Sequence, residues 1–271
     1  MDKLKKQLFT ILLALVCTST LLIGGITLTQ AQTPIQTETI EYRQGGTTLE
    51  GYLAYDGSNS SQRPGILIVH AWKGLGDFEK QQAEKLAKMG YVAFAADIYG
   101  EGVRPTTNDE AREQAVFYLS NRNLLRDRAN AGLNWLKQYR LTNSKQTAAI
   151  GYCFGGSTVL ELARSGADVA GVVSFHGGLG SPTPEDAKQI KAKVLALHGA
   201  DDPLVPPKEV AAFQEEMTQA GVDWQLVAYG GTVHSFTNPK AGDDPSKGSA
   251  YNADSDRRSF AAMKLFFDEL F

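Results

Sequence analysis

Cys153 sits in the run Gly151-Tyr152-Cys153-Phe154-Gly155-Gly156. A small-x-nucleophile-x-small pattern at a strand-to-helix turn is a nucleophile elbow. The turn is so tight that a Cβ on either flanking residue would strike the neighbouring strand or helix, and glycine removes the collision. The central side chain then stands above a helix N-terminus, where free amides and the helix dipole favour negative charge. A thiolate in such a place is a strong nucleophile. The plain alternative is a small cysteine buried in a glycine-rich turn. The neighbouring elements favour the nucleophile: Thr147 to Ile150 reads as a short buried strand, and Ser157 to Arg164 as a helix with Val159, Leu160 and Ala163 on one face.

A thiol nucleophile needs a base for its proton, and the base needs an acid to fix its tautomer. On sheets that carry this elbow, the partners follow in the order nucleophile, Asp or Glu, His, each after a strand. Asp202 follows the strand Val194–Leu197 and His234 follows the strand Trp224–Tyr229. Asp201 competes with Asp202 as the acid. His176 and His198 also lie at strand ends, but too early in the chain for the base, and both read equally as satisfied core histidines. His70 lies in a loop after a central strand, where half of an oxyanion hole is expected. Such a hole needs two backbone N–H groups aimed at the developing charge, and Phe154 and Trp72 supply the candidates. No C-x-x-C or H-E-x-x-H run is present, and four scattered histidines give no metal-ligand pattern.

These loops need a parallel sheet to bring them together. Thr39–Gln44 and Thr48–Tyr55 read as a hairpin turning at Gly45-Gly46. Gly65–Val69 and Tyr91–Ala96 are continuous apolar runs, the mark of strands buried on both faces. Helices are expected after Asp77 as a cap, over Asn108–Leu119, Leu124–Tyr139, Lys208–Ala220 and Asp254–Leu270, and a further strand over Val169–Phe175. Strands alternating with helices predict an α/β chain with one doubly wound, mostly parallel sheet, the α/β-hydrolase fold, as a single domain over residues 39–271.

The composition is that of an ordinary globular protein, 42% hydrophobic and 21% charged, and a net charge of −3 offers no general attraction for nucleic acid. Lys3, Lys5 and Lys6 precede an uncharged apolar run from Leu8 to Leu28, and Thr29-Gln30-Ala31 then places small residues where a signal peptidase reads. Residues 1–31 are expected to be a secretory signal peptide, residues 32–38 a flexible leader, and the protein periplasmic or secreted. The alternative is an uncleaved N-terminal anchor, the only route to a membrane. Without residues 1–31, Cys153 is the sole cysteine, and an odd thiol in an oxidising compartment reads as reactive.

The elbow G-Y-C-F-G-G, the loop H-A-W-K-G from His70, D-I-Y-G from Asp97, D-P-L-V-P from Asp202 and V-H-S-F-T-N-P from Val233, taken together, resemble the dienelactone hydrolase family over residues 39–271. The resemblance implies Cys153 as nucleophile, Asp202 as the acid and His234 as the base. His70, Tyr99, Arg104 and Phe236 are further candidates for substrate contact. Three departures stand out. The position where the family's dienelactone hydrolases carry a thiol-activating glutamate is Ala71. The positions of two arginines that hold the substrate carboxylate are Asn238 and Glu101. Arg104 could substitute, although a solvated loop arginine is the plainer reading. Without those arginines an anionic substrate gains no bidentate partner.

The expected function is an exported hydrolase of carboxylic esters or lactones, other than dienelactone itself. Cys153, His234 and Asp202 would act through an acyl-thioester, with no metal or organic cofactor. The partner is a small-molecule substrate, with no nucleic acid, and the oligomeric state stays open. The rivals are an amide or peptide hydrolase, a binding protein on a hydrolase scaffold, and a redox-sensing thiol, which would lack a resolving cysteine.

Overall fold

The apolar run at Gly65–Val69 is the inner part of strand β3 (Arg63–Val69), and its side chains leave on alternate sides. Ile66 and Ile68 enter one core, Leu67 and Val69 the other, and all four are fully buried. A strand like this must lie inside a sheet covered on both faces. In the computed structural model, which describes residues 35–271, the other strands of that sheet are β1 (Ile35–Gln44), β2 (Thr47–Asp56), β4 (Val92–Ala96), β5 (Thr142–Tyr152), β6 (Gly171–Phe175), β7 (Lys193–Gly199) and β8 (Trp224–Tyr229). Their order is β1-β2-β4-β3-β5-β6-β7-β8. β1 pairs antiparallel with β2, and β2 with β4. All remaining pairs are parallel.

The helices are α1 (Asp77–Lys88), α2 (Asn108–Ser120), α3 (Arg122–Gln138), α4 (Phe154–Arg164), α5 (Pro207–Gln219) and α6 (Ala253–Leu270). α1 and α6 cover one face through Ala83, Leu86, Met263, Phe266 and Phe267. α3, α4 and α5 cover the other through Leu125, Leu133, Val159, Leu162 and Phe213. Because the inner strands are parallel, their carboxyl ends share one edge of the sheet. The loops that follow β3, β5, β6, β7 and β8 therefore gather there, where ligands bind in open α/β sheets.

One buried ionic cluster ties the helices of the second face together. Arg164, 1% exposed, forks onto both carboxylate oxygens of Glu216 at 2.8 and 2.7 Å and also reaches Glu161 at 3.1 Å. Arg126 bridges Glu161 and Asp186.

The structure corrects three sequence expectations. β1 begins at Ile35 and pairs with Asp56, so residues 35–38, read as leader, belong to the sheet. The expected signal segment 1–31 and residues 32–34 lie outside the described residues. β5 begins at Thr142, not Thr147, because a register shift opposite Pro64 and Gly65 lets the polar residues Ser144 to Gln146 bulge between two paired stretches. Asp77 is the first helical residue and not the cap. Gly76 is the cap, and the Glu79 carboxylate accepts its N–H at 2.9 Å.

Candidate active site

Cys153 directly follows β5 and caps α4, with φ +55°. The turn leaves no room at its flanks. A Cβ on Gly151 would run into the Gly155 carbonyl, and one on Gly155 into the Val69 carbonyl. Only glycine allows the helix to start this close to β3 and β5. Among the described residues, three that are not glycine hold a positive φ: Cys153, His176 and Ser235. All three lie at or beside the elbow and the loop of His234. Non-glycine residues keep such conformations where the surrounding structure over-determines them, commonly at functional sites.

His234 lies in the loop after β8. Its backbone is pinned on both sides, by its own N–H to the Gly248 carbonyl at 3.3 Å and by the Ala250 N–H to its carbonyl at 3.0 Å. Its ring reaches two partners. Nε2 is 3.1 Å from Cys153 Sγ, and Nδ1 is 2.7 Å from Asp202 Oδ2. Asp202 is buried, and its other oxygen accepts the Leu204 N–H at 2.8 Å, so the carboxylate is fixed at both ends. Asp201 is exposed and makes no contact with His234. Burial disfavours charge on His234, but the bonds to Asp202 and Cys153 outweigh it and raise its pKa from 6.5 to about 10.

The loop after β3 is braced by a residue the sequence reading missed. Glu79, 3% exposed, accepts the Ala71 N–H at 3.0 Å with one oxygen and the Gly76 N–H with the other. It therefore clamps both ends of the segment that holds Trp72. Burial raises its pKa even against those two N–H donors. Tyr99 adds a third tie, its hydroxyl donating to the Trp72 carbonyl at 2.9 Å. The Trp72 N–H has no partner among the described residues. The Phe154 N–H is the first of α4, a position with no intrahelical acceptor. The Cys153 N–H, in contrast, is occupied by the Phe175 carbonyl and His176 Nδ1.

The four expected substrate contacts have their polar groups engaged within the fold or carry none. His70 is 1% exposed, with Nδ1 2.7 Å from the Ala71 carbonyl and Nε2 accepting the Ile98 N–H at 3.1 Å. Burial lowers its pKa to about 4, so the ring is neutral, with its proton on Nδ1. Tyr99 is 4% exposed and its hydroxyl is spent on Trp72, while Phe236 is wholly buried in the core. Arg104 donates to the Gly100 and Val103 carbonyls and lies 3.6 Å from buried Asp97 and 3.7 Å from Glu50, so its charge is already matched. None of the four leaves a polar group free of a partner. Asn238 is also engaged, capping a short turn through the Lys240 N–H.

His198 and His176 differ. His198 Nδ1 is buried without a partner. Both nitrogens of His176 are occupied, the second by Thr237 Oγ1 at 2.8 Å. No group of three or more potential metal ligands occurs among the described residues.

An eight-stranded, mostly parallel sheet with an elbow after β5 and partners after β7 and β8 defines an α/β-hydrolase. The dienelactone hydrolase family model matches residues 49–271, and the chain belongs to that family, whose activity is the hydrolysis of ester and lactone bonds. It is 29% identical to "Protein usf" of Aquifex pyrophilus, over 77% of this chain and 91% of that protein. It is 30% identical to a Bradyrhizobium protein named as a probable 2-oxo-3-(5-oxofuran-2-ylidene)propanoate lactonase, over 74% of this chain and 86% of that one. Among solved structures it resembles the dienelactone hydrolase-like promiscuous phosphotriesterase P91 from metagenomic libraries. That likeness has 39% identity and a TM-score of 0.84 and covers 88% of this chain and 99% of P91.

Proposed function

We propose that the protein is an exported cysteine hydrolase of uncharged carboxylic esters or lactones. The observation that carries this reading is the unbroken line Cys153 Sγ, His234, Asp202, with contacts of 3.1 and 2.7 Å. His234, raised to about 10, keeps its proton at neutral pH and faces the sulfur. The Cys153 thiolate attacks the carbonyl carbon and a C–S bond forms. The carbonyl oxygen takes the negative charge between the N–H groups of Phe154 and Trp72. As the C–O bond to the alkoxide breaks, His234 Nε2 gives that oxygen its proton and a thioester remains. Water then attacks the thioester, His234 takes the water's proton, and the thiolate leaves with the electrons of the C–S bond. Asp202 accepts from Nδ1 throughout and fixes the tautomer that points Nε2 at the sulfur.

The preference for an uncharged substrate rests on the cations. Asn238 and Glu101 stand where the resemblance would place arginines, and Arg104 is already paired to Asp97 and Glu50. These three positions offer a substrate carboxylate no free guanidinium. P91, by its name, turns over phosphotriesters, which are also uncharged. The N-terminal basic and apolar run supports export, and N-terminal sequencing of the protein recovered outside the cytoplasm tests it.

Hydrolysis of a short nitrophenyl ester tests the chemistry, with Cys153→Ala and His234→Ala beside the wild type. The wild type turns over and both variants fall to background. Retained turnover in Cys153→Ala rules the nucleophile out. A paired series of neutral and carboxylate-bearing lactones tests the selectivity, with kcat/KM higher for the neutral member of each pair.

A further inference from the structure

Resting on that reading, we propose that His176 and Thr237 form an uncharged brace that sets the distance between the nucleophile and its base, which makes both positioning residues of the reaction. His176 follows β6 directly and is 2% exposed. Its Nδ1 lies 3.1 Å from the Cys153 N–H and its Nε2 lies 2.8 Å from Thr237 Oγ1. A backbone N–H can only donate, so Nδ1 carries no proton. The single proton of the neutral ring is then on Nε2 and is donated to the Thr237 hydroxyl oxygen. Burial, reinforced by the neighbouring His234 charge, holds His176 well below its usual pKa, so the ring stays in this one form.

The brace spans the two loops that the reaction must align. On one side is the backbone of the nucleophile itself. On the other is Thr237, three residues beyond the base and 3% exposed. Between them the His176 ring stands edge-on to the His234 ring at 5.2 Å and to the Phe236 ring at 5.0 Å. His176 adopts φ +41° and Ser235, next to the base, φ +59°. The braced histidine and the residue next to the base are thus both held in conformations that surrounding contacts maintain. The ring also occupies the Cys153 N–H together with the Phe175 carbonyl, which leaves that amide out of the oxyanion site. Neither His176 nor Thr237 makes a hydrogen bond to the Cys153 sulfur, whose partner is His234. They act through the placement of Cys153 and His234.

The test is steady-state hydrolysis of a nitrophenyl ester by the wild type, Thr237→Val, Thr237→Ser, His176→Asn and the double variant His176→Asn/Thr237→Val, with thermal unfolding of each. Asparagine tolerates a positive φ, and its Oδ1 can still accept the Cys153 N–H, but it is too short to reach Thr237. Thr237→Val loses about tenfold in kcat, the effect of one hydrogen bond on the barrier, with KM held within about twofold. Thr237→Ser returns kcat to within about twofold of the wild type. The double variant is no slower than His176→Asn alone, because both changes cut the same link. Wild-type kcat in Thr237→Val, failure of Thr237→Ser to rescue, or losses that multiply in the double variant would overturn the brace. Cys153→Ala in the same assay separates the two claims. If it is inactive while Thr237→Val is unimpaired, only the brace fails; if it still turns over, the proposed chemistry fails and the brace with it.

Discussion

Cys153 Sγ and His234 Nε2 lie 3.1 Å apart although 81 residues separate them in the chain. The contact is made by a sheet and not by local sequence. β5 delivers the sulfur and β8 the ring, with β6 and β7 between them. Parallel pairing puts both carboxyl ends on one edge, and the loop beyond β8 turns His234 back over β7 to meet Asp202.

Asp202 holds the far side of that ring, so Asp202→Asn should keep the fold while reversing the preferred tautomer. The Leu204 N–H holds the amide oxygen, so the NH₂ group faces Nδ1 and donates to it. Loss of kcat by roughly 10³- to 10⁴-fold is expected, with the far-ultraviolet dichroism unchanged. A loss below about tenfold would mean that Asp202 does not orient the base. Asp201→Asn is the matched control and keeps full activity, since Asp201 is exposed.

The same geometry makes stability depend on pH. His234 is raised from 6.5 to about 10, so the folded protein holds that proton more tightly than the unfolded chain. The stability this contributes is complete below about pH 6.5 and is lost as the pH climbs through about 10. Urea unfolding of the wild type and His234→Gln at several pH values checks it. The advantage of the wild type should shrink between pH 6.5 and 10, and a difference that stays flat or grows would contradict the assignment.

Glu79 clamps the segment carrying Trp72 by accepting two N–H groups, one per oxygen. Glutamine offers one oxygen and one NH₂ group, so one backbone donor must face another donor. Glu79→Gln should cost about 1–3 kcal/mol of stability, the penalty for an unsatisfied buried polar group. It should also lower kcat more than it raises KM. An unchanged kcat would show that the Trp72 amide is not poised by this loop.

Arg164→Met tests the ionic cluster away from the site. Methionine fills much of the volume but leaves Glu216 and Glu161 buried without this partner. A loss of about 3–5 kcal/mol is expected in urea unfolding, with catalysis near wild type for the folded fraction. A loss under about 1 kcal/mol would show that Arg164 does not hold the buried charges of Glu216 and Glu161 in place.

Much of this architecture could be read before the structure, for a physical reason. Gly65–Val69 and Tyr91–Ala96 are apolar on both strand faces, which only a covered parallel sheet satisfies, and the elbow glycines announce a turn that no other residue permits. The β8 span was legible to the residue because Trp224 to Tyr229 is bounded by Asp223 and Gly230-Gly231. The start of β5 was not, since polar residues bulge out of the strand at the register shift. Glu79 reads as an ordinary acidic residue in a first helical turn. Only its spacing of three from Gly76 hinted at a cap. His176 was one strand-end histidine among several, and its link to Thr237 crosses 61 residues and depends on two positive φ angles that no periodicity reports. His70, Tyr99 and Arg104 have the chemistry to bind substrate, and what no sequence pattern reports is that the fold engages their polar groups with Ile98, Trp72, Asp97 and Glu50.

The central claim is that the acyl group passes through the Cys153 sulfur. The direct measurement is rapid acid quenching of the protein mixed with a nitrophenyl ester, followed by mass analysis of the intact chain and of the peptide containing Cys153. An acyl adduct is expected on Cys153 that forms within the first turnover, is released by hydroxylamine and is absent from the corresponding peptide of Cys153→Ala. Steady turnover with no adduct on Cys153 at any quench time, in His234→Ala as well as in the wild type, would contradict that claim.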